Sequence, residues 1–333
     1  MIRAEFANLV VKYGDKGMLA EPKLLGAAFF ADPLIRRLSK KSYHFIDVDM
    51  AMLDENEPES ICIFGRFVKD IDLERDQILE NGKLVSNHRL MPSAPSSLFF
   101  VFPARHRIIF APETRFAPTL SEFRSTFYSF LKDAWRKEIR RQYDEINKIE
   151  KRSKTWSELK KEFPAPDVRL VHLTSPSSVD KFVQRFDIIN KMTIAVIERN
   201  NEWDRSDSLA DIKKALQPAK PDVAKIVATG GKKGLKKKGT AKVVKAATKA
   251  GYEEVTLQGK TPDGTTLIGS NDDFKLRFDL TEKVTSVKAA AKSAWTKMKD
   301  ALSDGLVTTN FSENELSNNI LASKTLLEDR KDA

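Results

Sequence analysis

The stretch GGKKGLKKKGTAKVVKAATKAG, from Gly230 to Gly251, is where residue type and spacing point most directly to chemistry. Between Asp222 and Glu253 the chain carries nine lysines and no acidic residue. Lys232, Lys233, Lys236, Lys237 and Lys238 fall in a loop punctuated by glycines. Lys242, Lys245 and Lys249 follow at spacings of three and four, which puts them on one face of a helix. An ammonium group is a compact point charge that meets phosphate well, and a phosphate backbone engages many such groups at once. The pattern therefore predicts a nucleic-acid-binding surface made of a loop and the helix after it. An anionic membrane surface or acidic protein partner, or a merely solvated loop, is the competing reading. A nucleoside triphosphate loop is excluded: Gly234 and Gly239 have the Walker separation, but Thr240 stands where the motif needs lysine.

A second basic cluster, Arg136, Lys137, Arg140 and Arg141, closes a long helical pattern, with Lys151, Arg152 and Lys154 beyond it. Part of it complements the helix dipole. Arg136 and Arg140 are the candidates for further phosphate contact. The lysine loop has no aromatic residue, which weakens single-strand binding by base stacking and favours a duplex, DNA over RNA. Contacts of this kind carry little sequence information.

Signals for catalysis are sparse. Asp47 and Asp49 in FIDVDM alternate along an expected strand and would share a face, so a Mg²⁺-dependent nuclease is the alternative function. Glu158-x-Lys160 has the form of a nuclease motif but lies in a helical, charge-rich stretch. The four histidines are scattered, with no pair at helical spacing for a metal. No G-x-S-x-G elbow is present. No catalytic residue, cofactor or resident metal is expected.

The elements that must position the lysines can be followed along the chain. Residues 1–150 are read as an N-terminal α+β domain. It has strands in IRAEFANLVV, SYHFIDVDMAMLDEN and ESICIFGRFVKDIDLE, a helix in EPKLLGAAFFADPLIRRLS that Pro33 must break or kink, and a hairpin with arms Leu98–Phe102 and Arg107–Phe110. A helix from Leu120 follows, with Leu120, Phe123, Phe127, Leu131, Trp135 and Ile139 as its apolar stripe and Thr119 or Ser121 as its cap. The charged stretch from Arg140 to Glu162 is a helical extension or a hinge. Residues 165–282 are read as a second α+β domain. It opens with VRLVHLT, SSVDKFVQRF and KMTIAVIE, passes through a helix in SDSLADIKKALQ, and reaches the lysine segment after VAKIVATGG. There Thr240 is the expected helix cap, and Val243, Val244 and Ala247 the buried side. Two or three antiparallel strands in residues 252–280 follow. Helices over 283–328 are expected to pack on the first domain, with 329–333 a frayed tail.

Composition bounds the rest. A chain of 333 residues with 41% hydrophobic residues has room for two cores. Its net charge of +10 favours an anionic partner. A lone cysteine, Cys62, excludes a disulfide framework and reads as a buried thiol. No secretory leader and no membrane-spanning run is visible, so a cytoplasmic protein without membrane insertion is expected.

In the order of its elements the chain resembles the RexA phage-exclusion family of lambdoid prophages. The resemblance rests on SAPSSLFFVFPARHRIIFAPETRFAPTLSEF, a hairpin leading into a capped helix, on the later strand, helix and basic-segment order ending in EEVTLQGKTPDGTTL, and on the helical C-terminus. It is one of architecture rather than of motif, and the N-terminal third departs in length. It implies two α+β domains joined by a hinge, self-association as a dimer, largely sequence-independent DNA binding in phage defence, and a second defence-system protein as partner.

Overall fold

The computed structural model describes residues 2–149, 154–197, 223–249, 251, 253–280, 286–307 and 311–331. The fold is α+β, with two antiparallel sheets and helices packed on them. The larger sheet has ten strands among the described residues. β1 (Ile2–Tyr13), β2 (Lys16–Gly17), β3 (Ile35–Leu38), β4 (Lys41–Met52), β5 (Ile61–Glu80), β6 (Lys83–Ser93), β7 (Ser96–Phe102) and β8 (Arg107–Pro112) come from the first third of the chain. β9 (Pro166–His172) and β14 (Arg277–Leu280) join from much further on.

At the centre of this sheet, β7 and β8 carry nearly continuous apolar runs because both of their faces are covered. In β7, Phe99 and Val101 face one core, while Leu98, Phe100 and Phe102 face the other. The first core receives α1 (Pro22–Phe30) and α2 (Leu120–Ile149), together with Leu326 and Leu327 of α7 (Glu313–Lys331). The second receives α6 (Val287–Ser303) through Val287, Ala291, Trp295 and Met298. The expected stripe of α2 is buried at all six positions. Thr119 caps that helix: its Oγ1 accepts from the Glu122 amide at 3.2 Å, and Glu122 Oε2 accepts from the Thr119 amide at 2.8 Å. Cys62 lies in the second core, and burial pushes its thiol pKa up, so it behaves as an inert apolar residue.

Several expectations need correction. Beyond Pro33 the chain does not resume a helix; Ile35–Leu38 pairs with β4 as a strand. Of the two readings of the charged stretch, the helical extension holds over its described part, since α2 runs to Ile149 and α3 (Trp156–Glu162) follows. Residues 329–331 are helical rather than frayed. The helix expected over 206–217 lies outside the described residues, as do Lys151 and Arg152.

The smaller sheet has the order β11 (Val223–Thr229), β10 (Ile188–Ile197), β12 (Glu253–Lys260), β13 (Thr266–Ser270). One face carries α4 (Pro176–Gln184) and α5 (Lys237–Thr248), whose Val179, Phe182, Val183, Val244 and Ala247 pack against Ile189, Ile194, Val255 and Leu257. This unit is an insertion in the large sheet: the chain leaves at β9 and returns at β14. Residues 166–172 and 277–280, placed by sequence in the second domain, are therefore strands beside β1. The junction is polar and specific. Asn8 Nδ2 donates to the Gly251 carbonyl at 2.8 Å, and Asn271 Nδ2 donates to the carbonyls of His172 at 3.3 Å and Glu253 at 3.0 Å.

Candidate nucleic-acid interface

The lysine segment links the edge strand of the small sheet to its helical layer. β11 ends at Thr229, a short turn of 3₁₀ helix spans Gly231–Lys233, and α5 begins at Lys237. The turn is closed tightly on the sheet. The Gly230 amide donates to the Asn190 carbonyl at 2.8 Å, and the Leu235 amide donates to the Ile189 carbonyl at 2.8 Å. Leu235 packs against the small core and anchors the loop between its two lysine groups. The loop is thus held by backbone and one apolar side chain, and its cations are left outside.

Lys232, Lys233, Lys236, Lys237 and Lys238 are all exposed, and among the described residues none has an ion-pair partner. The helix that follows is placed differently from expectation. Its N-cap is Lys236, not Thr240, and Thr240 is buried one turn inside. The buried stripe is Thr240, Ala241, Val244, Ala247 and Thr248. Val243 falls off it and is 41% exposed, a correction to the expected apolar side. Lys242 on α5 and Lys249 at its C-cap are exposed; Lys245 is half-buried, and its Nζ pairs with Asp180 Oδ2 of α4 at 2.6 Å. Lys245 is therefore a tie between the two helices before it is a ligand contact.

The start of α5 is electrostatically unfavourable in isolation. Lys236 makes no side-chain cap, the first turn holds no acid, and three consecutive cations stand where the helix dipole is positive. Carboxylates and capping side chains are what stabilise such a position, so this arrangement gives up helix stability for positive potential. Exposed Lys181 of α4 and Arg185 at its C-cap add to the same helical layer, the Arg185 guanidinium lying 5.3 Å from the Phe182 ring centroid. Neither residue was singled out from sequence; their spacing of four on a helix beside the lysine helix was the available signal.

The secondary candidates fare differently. Arg136 and Arg140 are exposed on α2, which packs on the large sheet rather than beside α5. Arg136 pairs with Asp133 at 3.1 Å, and neighbouring Arg141 pairs with Glu138 at 2.6 Å and Glu145 at 2.7 Å. This surface is of mixed sign. Lys154 pairs with Glu162 at 2.6 Å.

Among the described residues, Asp47 and Asp49 do not form the paired site that the nuclease alternative expects. The β4–β5 register shifts between Ile46 and Asp49, so the simple alternation assumed for Asp47 and Asp49 is broken. Asp47 pairs with Arg66 at 2.6 Å, and Asp49 Oδ1 accepts from the Met50 amide at 2.8 Å. Glu158 is spent on a capping box with Thr155. No group of three or more His, Cys, Asp or Glu side chains is arranged for a metal among the described residues.

An ionisable cluster lies instead at the junction of the two sheets. His172 Nε2 is 3.2 Å from Glu5 Oε1, its Nδ1 meets Asp272, and Lys275 Nζ lies 2.5 Å from Glu5 Oε2. Burial opposes the charge on His172, but its bonds to Asp272 and Glu5 outweigh that and hold its pKa above the ordinary histidine value. Burial likewise opposes ionisation of Glu5, and His172 and Lys275 overcome it to keep its pKa low. The bond from His172 lowers that of Asp272. With every charge answered within the cluster, its role is to fasten β9 and the β13–β14 turn to β1.

Among the described residues, no helix is long and apolar enough to cross a membrane. No protein-family model matches the chain, and no curated protein matches its sequence.

Proposed function

We propose that the chain is a non-enzymatic nucleic-acid-binding protein that holds duplex DNA, with little sequence preference, on the lysine loop and the exposed face of α5. The observation that carries this reading is the placement of Lys236, Lys237 and Lys238 at an uncapped, acid-free helix start, beside exposed Lys232 and Lys233. An anion at that place relieves the repulsion among the lysines and meets the dipole with the favourable sign. Exposed Lys242, Lys249, Lys181 and Arg185 extend the same surface. The long, flexible ammonium side chains suit a backbone of repeated phosphates better than one small ligand. The resemblance to the RexA family supports a biological setting in phage exclusion, with a second defence-system protein as a partner.

The test is fluorescence anisotropy of the full chain with two unrelated duplex DNAs, a single strand and a duplex RNA, together with incubation of a supercoiled plasmid in Mg²⁺. The reading expects similar affinities for the two DNA duplexes and an intact plasmid. Nicking that follows Asp47 and Asp49 would favour the nuclease. Binding to an acidic polypeptide but to no nucleic acid would favour the protein-partner alternative. For the biological setting, expression of the chain should lower the plating efficiency of an infecting phage, and Lys→Glu changes in the loop should restore it.

A further inference from the structure

β5 outruns its sheet. Its pairing with β7 ends at Val68 and that with β4 at Ile71, and from there to Glu80 it pairs only with β6 among the described residues. The result is a two-stranded arm over residues 71–93, closed by Asn81 and Gly82, both at positive φ. A ribbon of that length reaches about 35 Å. An isolated ribbon is marginal in water, and uncovered apolar side chains on one mark an interaction surface.

The register sorts the side chains of the arm by face. Paired residues share a face, and so do alternate residues along a strand. Leu73, Arg75 and Leu79 of β5 therefore lie with Met91, Arg89 and Leu84 of β6. Leu79 is 71% exposed, Leu84 72% and Met91 38%. Among the paired residues, the charges on this face are the two arginines. Arg75 is steadied along the ribbon, its Nη2 donating to Asn87 Oδ1 at 2.7 Å, and Arg89 is exposed. The reverse face carries Asp72, Glu74 and Glu80, paired with Pro92, Leu90 and Lys83. One face is thus apolar and cationic, and the other is dominated by acids.

We propose that the arm is a membrane-docking element that lays its apolar, arginine-bearing face on a bilayer of anionic lipid without crossing it. Leu79 and Leu84, paired beside the turn at the free end, enter the acyl boundary. The arginines keep their stems along apolar surface and their guanidinium groups at the level of the lipid phosphates. Anionic lipid repels the acids of the reverse face, which stay in water, so charge decides which face goes down. A DNA groove suits this ribbon less well: there the acidic face would stand between two phosphate walls, whereas a bilayer is met from one side only. The arm and the lysine loop belong to different sheets, so the proposal stands or falls independently of DNA binding.

Co-sedimentation of the full chain with lipid vesicles tests it. Binding to vesicles of mixed phosphatidylglycerol and phosphatidylcholine should exceed binding to phosphatidylcholine alone. Leu79→Thr with Leu84→Thr, which keeps strand propensity, should lower the partition coefficient at least about tenfold, with circular dichroism unchanged. Arg89→Gln should weaken binding to the anionic vesicles, and Leu90→Thr on the reverse face should leave it unchanged. A second readout uses the burial of native Cys62, which keeps it silent to labelling. A nitrobenzoxadiazole fluorophore attached at Leu84→Cys should brighten and shift to the blue with anionic vesicles, and the same label at Leu90→Cys should not. Absence of vesicle binding overturns the proposal. So does vesicle binding that survives the two-leucine change but is lost when the loop lysines become Glu, or equal shifts at the two labelled positions. A label at Leu84→Cys that responds to DNA or to protein concentration alone, and not to vesicles, assigns the face to nucleic acid or to a second copy and overturns it as well.

Discussion

Lys236 holds the position where most helices place a serine, threonine, aspartate or asparagine, and its neighbours Lys237 and Lys238 repeat the offence against the dipole. If the segment is built to attract phosphate, stability and binding must trade against each other there. Lys236→Asp should stabilise the folded chain by about 1 kcal/mol through a new cap while weakening DNA binding. Chemical denaturation and anisotropy on the same variant check both signs. Binding that survives unchanged would mean the helix start is not a phosphate contact. At this scale the loop lysines were legible, because five unpaired ammonium groups so close together cannot be buried. Lys245 and Val243 were not. Their sides depend on which arc of α5 meets the sheet, and that arc is centred on Val244 and Thr248. Lys245 is left at its border, within reach of Asp180.

Elements were legible where one period dominates. The stripe of α2 is such a case, and its Phe123 sits among the rings of Phe45, Phe67, Phe99, Phe110 and Phe127. Phe123→Ala should destabilise the protein by about 3–5 kcal/mol, read as a shift of the denaturation midpoint with the slope unchanged. A smaller loss would mean that the aromatic cluster collapses into the space. The hairpin of β7 and β8 was found because its apolar runs are short and bounded by turn residues, even though burial on both faces removes any alternation. The arm strand β6 was missed. Its sequence KLVSNHRLMPS has no alternating pattern to follow, since neither face is buried in a core, and the Asn81-Gly82 turn was the only local signal. Gly269 marks a contact that sequence could not announce: a β-carbon there would run into the Phe182 ring of α4. Gly269→Ala should cost about 1–3 kcal/mol by overpacking, measured in the same way.

For the molecule as a whole, an α+β fold was legible from the order of strands and helices, but the way its two sheets join was not. β9 and β14 pair with a strand more than 150 residues before them, and their sequences read as ordinary strands of a second unit. Only the fold reveals that the small sheet is inserted between them, with the cluster of Glu5, His172, Asp272 and Lys275 at the seam. The seam gives a pH dependence of definite sign. His172 has its folded pKa raised, so its contribution is complete below its unfolded value and is lost as pH rises through the folded one. Glu5 and Asp272 have theirs lowered, so their contributions are present above the unfolded carboxylate range and lost as pH falls through the folded values. Stability from this seam should therefore peak between the two ranges, in mildly acidic solution, and decline towards alkaline pH. The difference in melting temperature between wild type and His172→Asn should shrink from pH 6 to pH 8.5; a difference that grows over that interval would contradict the assignment.

The central claim, that affinity comes from lysine and phosphate contacts on the loop, is tested most directly by the salt dependence of binding. The variant changes Lys232, Lys233, Lys236, Lys237 and Lys238 to Glu and is compared with wild type on one DNA duplex across a series of salt concentrations, with circular dichroism as the control for folding. The variant should remain folded, because the substituted side chains lie outside the core. Its affinity should fall below detection at moderate salt, and any residual binding should show a log–log salt slope shallower by about 0.9 for each phosphate no longer neutralised. A folded variant that keeps both the affinity and the slope of the wild type would place the binding surface elsewhere and contradict the account.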